Sequence, residues 1–459
     1  MNYLGIEYEM RNIPSLDPGF IPFGVWMEAY RKGAGVPIAV AVEKNGGEIT
    51  VRHTKIYGTP ERAEADYRYA ERYVKFLLWS IGGFRVSICG APAIARRLQA
   101  AYSPTGERAF DYDFFQKLYE RPLEILDLPL SACPAPNENP RPIGGHMEGC
   151  RIGFDAGGSD RKVSAVIDGE VVYSEEVVWT PKTMPDPRYQ YEGILDSLRT
   201  AAAKLPRVDG IGVSTAGVLI GNAPMISSIF YCVPRERWDE VKTCYDRAAA
   251  AIDPKIPIVV ANDGDVSALA GAIGMDCGRL MGLAMGTSEA VGYVDAQRNV
   301  LGWISELAFA PVDLNEDAMV DEWSTDIGVG CKYFSQDAVI KLAPRAGIAL
   351  DSAQTPAEQL KAVQALLDAG DARAREVFEN IGVYLAYAVQ QYSLFYDLQV
   401  LMVLGRVMSG AGGEIILAAS RRVLAEQFPE NTVRIVLPDE KTRRVGQAVA
   451  AASLPALDS

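Results

Sequence analysis

The stretch Phe154-Asp155-Ala156-Gly157-Gly158-Ser159-Asp160-Arg161-Lys162 combines a carboxylate, two glycines, a hydroxyl and a lysine in an order suited to phosphate chemistry. An apolar run at 152–154 leads into it and a second, at 163–167, follows at once, turns at Asp168-Gly169 and continues through 170–173. This pattern predicts a β-meander whose first turn is glycine-rich and polar. Two glycines let backbone N–H groups approach a phosphate with no Cβ in the way. A carboxylate at the strand end, Asp155, suits a hydrated Mg²⁺, which takes one or two carboxylates together with substrate phosphates. The same stretch also reads as a tight hairpin with a solvated, charged tip, and residues 152–173 alone do not separate the two.

Two later segments add weight to the first reading. Residues 256–261 form an apolar run ending in Asn262-Asp263-Gly264-Asp265, with a small-residue helix expected over 266–273. Residues 280–285 form another, ending in Gly286-Thr287-Ser288-Glu289, with 291–294 returning as a hairpin partner. A further strand, 210–213, ends in Ser214-Thr215-Ala216-Gly217. Two glycine/hydroxyl hairpins with a strand-end aspartate between them suit a split nucleotide site with two phosphate turns.

The elements that must position these residues belong to a chain of 459 residues, too long for one ordinary core, so two or three domains are expected. A hydrophobic content of 49% with 23% charged residues is that of a globular protein. The net charge of −14 argues against a nucleic-acid or anionic-membrane surface. Residues 1–150 hold 17 Lys/Arg against 18 Asp/Glu, so nearly all the excess acid lies downstream. The seven cysteines are scattered without a Cys-x-x-Cys, which suggests free, mostly buried thiols in a reducing compartment. The N-terminus carries Glu7 and Glu9 and no apolar signal segment, and no apolar run reaches the length of a membrane span, so a cytoplasmic protein is expected.

The Pro/Asn-rich segment 130–145 reads as a linker. Upstream, 36–42 and 49–51 flank Asn45-Gly46-Gly47 as a hairpin, followed by a helix over 70–80, a strand over 84–89 and a helix over 92–102. A helix over 375–396, a strand over 398–404 and a helix over 414–428 repeat that order near the C-terminus. The aromatic cluster 110–115 and Trp79, Trp303 and Trp323 are expected to serve as core or domain-seam packing. Asp313, Glu316, Asp317, Asp321 and Glu322 are expected on a solvated face.

Over residues 151–459 the chain resembles the sugar kinases of the ROK family, within the actin/hexokinase/Hsp70 superfamily. The resemblance is carried by 155–162, by 211–217, by Asn262-Asp263, by Gly286-Thr287-Ser288, by Gly302-Trp303-Ile304-Ser305-Glu306-Leu307-Ala308-Phe309, by 403–406 with Ser409-Gly410-Ala411-Gly412-Gly413, and by 446–452, all in family order. It implies an α/β chain with a two-lobed, actin-like (ribonuclease H-like) ATPase fold, here with an additional α/β N-terminal domain. The domains expected are 1–148, of unassigned role; 149–265 with 441–459, the lobe with phosphate-1 and the catalytic aspartate; and 266–440, the lobe with phosphate-2 and adenosine.

The resemblance also implies roles. Asp263 would be the general base that takes the acceptor's proton, although as a side chain it also reads as an N-cap for the 266 helix, a part Asp265 could share. Asn262, Gly217 and Glu306 would contact the acceptor. Gly157, Gly158, Ser159, Gly286, Thr287 and Ser288 would cradle ATP phosphates, with Asp155 on Mg²⁺ through water and Lys162 neutralising charge. Gly405, Gly410, Gly412 and Gly413 would face adenosine, with Arg406 standing where a glycine is usual. Two departures matter. Phe309 takes the position of a family histidine and Tyr333 that of a sugar-contacting glutamate, which would make the acceptor site more apolar and leaves glucose doubtful. Only Cys331 remains of the family's zinc cysteines, so no structural zinc is expected.

The function expected is ATP- and Mg²⁺-dependent phosphotransfer to a hydroxyl of a small carbohydrate or related metabolite. The alternative is a catalytically impaired ROK-like sugar or nucleotide sensor. Because the N-terminal segment is charge-balanced and proline-rich, such a sensor would act through a protein partner rather than DNA. A homo-oligomer, a dimer by analogy, is expected, with no nucleic acid or membrane partner.

Overall fold

The computed structural model describes residues 1–138 and 143–457, and all their side chains except those of 440–445. Two compact units are present. The first comprises Met1–Asn139, Leu283–Val291 and Trp303–Leu437; the second comprises Pro140–Gly282, Gly292–Gly302 and Pro438–Ser459. Residues 1–138, most of the segment 1–148 expected to form a domain of its own, therefore belong to the same unit as 303–437. Part of the expected linker, 139–142, lies outside the described residues.

The second unit is built on a five-stranded sheet in the order Ile258–Asn262, Gly210–Thr215, Cys150–Ala156, Asp160–Ile167, Glu170–Val178. The first three strands are parallel and the last three form the antiparallel meander. The meander's second turn has φ of 49° at Asp168 and 84° at Gly169, the left-handed pair a two-residue primed turn demands. The central strand Cys150–Ala156 is buried along its whole length, while the edge strand Glu170–Val178 is largely exposed. Ile152, Phe154, Val163, Ile211, Val213 and Val260 project into a core shared with helices Pro187–Ala202 and Cys244–Ala250.

The C-terminal helix Glu440–Ala452, kinked at Gly446, packs directly on this sheet. Gly153 and Gly212 are register partners on neighbouring strands. A Cβ on Gly153 would run into the carbonyl oxygen of Ala448, and one on Gly212 into that of Ala451. Two side-by-side glycines thus open the groove in which Ala448, Ala450, Ala451 and Ala452 are buried.

In the first unit the N-terminal residues form a four-stranded sheet ordered Ile49–Ile56, Val36–Glu43, Arg85–Cys89, Glu124–Leu128. The expected hairpin is present, turning at Asn45–Gly47, where Gly46 and Gly47 have φ of 74° and 75°. Helix Ala63–Ile81 is longer than expected and almost wholly buried. It carries Arg72 and Lys75 inside, which join Arg108, Glu71, Asp111 and Asp326 in one network of three cations and three carboxylates. A second sheet places residues 289–291, 283–285, Val400–Leu404 and Arg434–Val436 side by side in that order. Helices Ala372–Ser393 and Ala411–Gln427 pack closely together beside it.

The aromatic cluster is a core, as expected: Phe110, Phe114 and Phe115 surround Trp79. Trp323 departs from expectation, being 71% exposed. In the acidic run Glu316, Asp317 and Glu322 are exposed as expected, and two residues depart in the other direction. Asp313 and Asp321 are buried, because backbone N–H groups of Ile21 and Asn315 donate to the first and the Ser324 N–H and hydroxyl to the second.

Candidate functional site

In the second unit, register places Asp155 between Lys162 on one neighbouring strand and Ser214 on the other, so all three share one face of the sheet. The strand edge therefore presents a row Glu176, Lys162, Asp155, Ser214, with Lys162 Nζ 3.8 Å from Glu176 and 3.2 Å from Asp160. Burial pushes the Asp155 carboxyl above its ordinary range, with the Ser214 hydroxyl and then the Lys162 ammonium opposing. Ser214 beside it is buried. A carboxylate at a strand end beside a lysine and a serine fits a polar or cationic group better than it fits a packed core.

The turn Gly157-Gly158-Ser159 is held from outside. Trp179 donates its ring N–H to Gly157 O at 2.8 Å and its backbone N–H to Ser159 O at 3.1 Å. Ser159 Oγ donates to Asp160 at 2.8 Å. A Cβ on Gly158 would lie 2.8 Å from Lys182 Nζ. Lys182, from the short 3₁₀ turn Pro181–Thr183, thus adds an exposed ammonium at this glycine turn. Sequence reasoning missed Lys182, since nothing in its local pattern ties it to a turn more than twenty residues upstream.

Asp263 opens helix Asp263–Met275 directly after strand Ile258–Asn262. The N-cap of that helix is Asn262, whose Oδ1 accepts the Gly264 N–H at 2.7 Å. Its Nδ2 donates to Gly217 O at 2.8 Å, pinning a residue with φ of 120°. Capping by Asn262 relieves Asp263 of the main structural duty the sequence left open to it; its carboxylate accepts the adjacent Gly264 N–H at 3.0 Å. The Asp263 side chain keeps some exposed surface, yet it is enclosed enough that its carboxyl is pushed up to about 6, first by lost hydration and then by the Asp155 charge. Gln447 of the C-terminal helix donates to Asp263 O at 3.2 Å and to Ser267 Oγ at 2.6 Å, fixing the helix start from behind. Asp265, fully buried, is pushed up to about 7 by burial, with the Asp263 charge adding to the rise and the Tyr293 N–H opposing it.

In the first unit the turn Gly286-Thr287-Ser288 leaves Thr287 and Ser288 exposed. The Gly286 N–H donates to Ser288 O at 3.0 Å and Gly286 O accepts from Gln336 N, so the Gly286 N–H expected to cradle a phosphate is already used inside the turn. Arg406 reaches across and donates Nη2 to Thr287 Oγ1 at 2.9 Å. Gly405, with φ of 100°, lets this segment press on the backbone of Met285, and it is exposed together with Gly410. Gly412 and Gly413, expected at adenosine, are buried instead. A Cβ on Gly412 would meet the Phe378 ring at 2.7 Å, and one on Gly413 would strike Met408 O, so both serve helix packing.

The expected acceptor contacts of this unit are also revised. Tyr333 has no exposed surface: its hydroxyl donates to Asp313 at 2.6 Å, and Lys341 Nζ lies 3.7 Å from its ring centre. It is a core residue and offers nothing to an acceptor. Phe309 is half-buried and packs 4.6 Å from Trp79 and 5.4 Å from Phe110 between ring centres, extending the aromatic cluster. Glu306 remains half-buried near a carboxyl that sequence reasoning passed over, Glu289. Burial pushes Glu289 up to about 8, a hydrogen bond from Tyr392 at 3.3 Å opposes the rise, and Glu306 adds to it. Cys331, the remaining cysteine of the zinc motif, donates its thiol to Asp321 at 3.5 Å. Among the described residues no three His, Cys, Asp or Glu side chains are grouped to hold a metal, and no helix is long and apolar enough to cross a membrane.

No family model and no curated protein matches this sequence. Solved structures do. A ROK family transcriptional regulator, a homologue of the E. coli MLC protein, is 17% identical, covers 79% of this chain and 87% of its own, and superposes with a TM-score of 0.51. The ROK hexokinase of Thermus thermophilus is 18% identical over 66% of this chain and 97% of its own, with a TM-score of 0.49. A ROK family glucokinase of Streptomyces griseus, solved with glucose and AMPPNP, is 19% identical over 66% and 98%, at 0.45. At these identities the likeness is one of fold. The chain shares the fold of that ROK family regulator.

Proposed function

We propose that this protein transfers the terminal phosphoryl group of ATP to a hydroxyl of a small carbohydrate or related metabolite, with Asp263 as general base. The observation that carries the reading is Asp263 itself. It follows a rigid strand, its helix is capped by Asn262, and its carboxyl is poised near neutrality by burial and by Asp155. A base of this kind takes the acceptor proton as the oxygen attacks, and a value near working pH gives the best compromise between availability and basicity.

The residues present fit a magnesium nucleotide. Asp155 would hold the ion through its water shell, and the ion would neutralise charge on the transferring phosphoryl group. Gly157, Gly158 and Ser159 supply backbone donors, with Lys182 and Lys162 as cations at that turn. In the first unit Thr287, Ser288 and Arg406 form a phosphate-binding turn of their own, with Gly405 and Gly410 as the exposed surface for adenosine. In the second unit the acceptor contacts are Asn262 and Gly217. The polar Asn262–Gly217 pair orients a hydroxyl, and the absence of a histidine at Phe309 argues for an acceptor other than glucose.

A second reading, a ligand sensor of impaired catalysis, draws support from the fold shared with a transcriptional regulator and from Tyr333, which is packed away where a sugar contact was expected. ADP release from MgATP, measured for the protein and for Asp263→Ala across sugars, amino sugars and polyols, separates the two. Acceptor-dependent turnover abolished in the variant supports the kinase. Nucleotide or sugar binding without turnover in either protein overturns it in favour of the sensor.

A further inference from the structure

The start of helix Asp263–Met275 is held by a residue from the far end of the chain. Asp263 is the first residue of that helix, and its carbonyl oxygen accepts from two side chains: Ser267 Oγ at 2.8 Å, one turn along, and Gln447 Nε2 at 3.2 Å. Gln447 Nε2 also donates to Ser267 Oγ at 2.6 Å. Both amide hydrogens of Gln447 thus go into one closed triangle of hydrogen bonds. Ser267 and Gln447 are half-buried. Gln447 reaches this position because Gly446, with φ of 61°, breaks the helix Glu440–Ala452 immediately before it. The residues that follow settle on the sheet, with Ala448 O against Gly153 and Ala451 O against Gly212. So close a seat fixes their register and leaves Gln447 beside helix Asp263–Met275.

Given Asp263 as the general base of the function proposed above, we propose that Gln447 is its positioning residue, so that phosphoryl transfer depends on the seating of the C-terminal helix. The first N–H groups of a helix have no partner within it, so its first turn is the easiest to loosen. Asn262 caps this turn through the Gly264 N–H, and Gln447 grips the carbonyl of the residue that carries the base. A tilt of that peptide swings the carboxylate with it. A general base must stay within hydrogen-bond reach of the proton it takes, and a displacement of about 1 Å can cost ~10²-fold in rate. Because Gln447 donates to the carbonyl oxygen, it fixes the direction of the side chain without drawing on the carboxylate, whose lone pairs stay open to the acceptor proton.

Gln447→Met keeps the length of the side chain and removes both donations, and Ser267→Ala removes the other donor to the same carbonyl. Wild type, the two single variants and the double variant are compared in acceptor-dependent ADP release from MgATP. Amide hydrogen exchange over 263–267 is followed in the same proteins without an acceptor. Gln447→Met should lower kcat about tenfold with both KM values within about twofold of wild type, and exchange over 263–267 should quicken. The triangle is already open in the single variant, so the double variant should lose at most about a further twofold. Unchanged kcat in Gln447→Met overturns the proposal, and so does a rise in KM that tracks a lowered unfolding temperature, the mark of a general structural part. A double variant whose loss is the product of the two single losses also overturns it. Gln447→Glu, equally long and with no N–H to donate, repeats the measurement where Gln447→Met folds poorly. Absence of turnover in the wild type would sink the kinase reading by itself. Hydrogen exchange then decides the placement alone: faster exchange over 263–267 in Gln447→Met supports the hold of Gln447 on Asp263, and unchanged exchange overturns it.

Discussion

Arg72 donates Nη1 to Asp326 Oδ2 at 2.9 Å and Nη2 to Oδ1 at 3.3 Å, a bidentate pair with both side chains almost wholly out of solvent. Arg72 lies on helix Ala63–Ile81 and Asp326 in the loop before Val329, so a single carboxylate ties the N-terminal sheet region to 303–437 within the first unit. Lys75 and Arg108 converge on the same carboxylate at 3.2 and 2.8 Å. Removing one partner of such a pair leaves a buried charge uncompensated. Asp326→Asn is expected to cost about 3–5 kcal/mol in urea unfolding, whereas substitution of exposed Asp317 should stay within about 0.5 kcal/mol.

The same carboxyl sets an acid limit on stability. Burial alone would raise it, but Arg72 and Lys75 reverse this and hold it at about 2. A carboxyl lowered on folding contributes its stability above its ordinary value and loses it as pH falls through the folded value. Thermal unfolding should therefore show an acid-dependent loss between about pH 4 and pH 2 that is weakened in Asp326→Asn.

Phosphotransfer should have an acidic limb near pH 6, because Asp263 must be ionised to accept a proton and its carboxyl is raised to about 6. Turnover rises with pH through that value and levels above it. Asp263→Asn should lower turnover by about 10²–10⁴-fold with nucleotide binding retained. A pH profile flat between 5 and 8 would remove Asp263 from the role of base.

Arg406→Ala should weaken MgATP binding by roughly tenfold, equivalent to about 1.4 kcal/mol, by removing the guanidinium seated on Thr287. Titration with a non-hydrolysable ATP analogue measures this directly. Improved binding in the variant would show that Arg406 crowds the nucleotide.

Gly153→Ala and Gly212→Ala should each destabilise the protein by about 3 kcal/mol or more, since the added methyl meets backbone of the C-terminal helix, which cannot swing aside as a side chain can. Gly35→Ala, where a Cβ meets nothing within 4 Å, is the matched control and should be nearly neutral. Equal effects at the three positions would contradict the groove.

The sequence by itself determined the local pieces of this protein. Asp168-Gly169 dictated a primed turn because two consecutive left-handed residues favour Asp and Gly, and the meander followed from the alternation around it. Asp155, the Gly157-Gly158 turn and Asp263 were legible because they sit where an apolar run stops and chemistry-bearing residues begin. What only the tertiary structure decided were matters of distant neighbours. Gly412 and Gly413 look like a ligand turn in the sequence, yet Phe378 and Met408 claim them. Tyr333 looks like a site residue until Asp313 and Lys341 enclose it. Lys182 and Glu289 carried no local signal and took their places through contacts with Gly158 and Tyr392. The sequence offered Asp263 or Asp265 as helix cap, and the observed cap is neither. The strand-to-helix geometry gave the cap to Asn262 and left Asp263 for other work. Backbone preference acts over a few residues and is written locally; burial, register and charge pairing are set by residues far apart in the chain and exist only once it has folded.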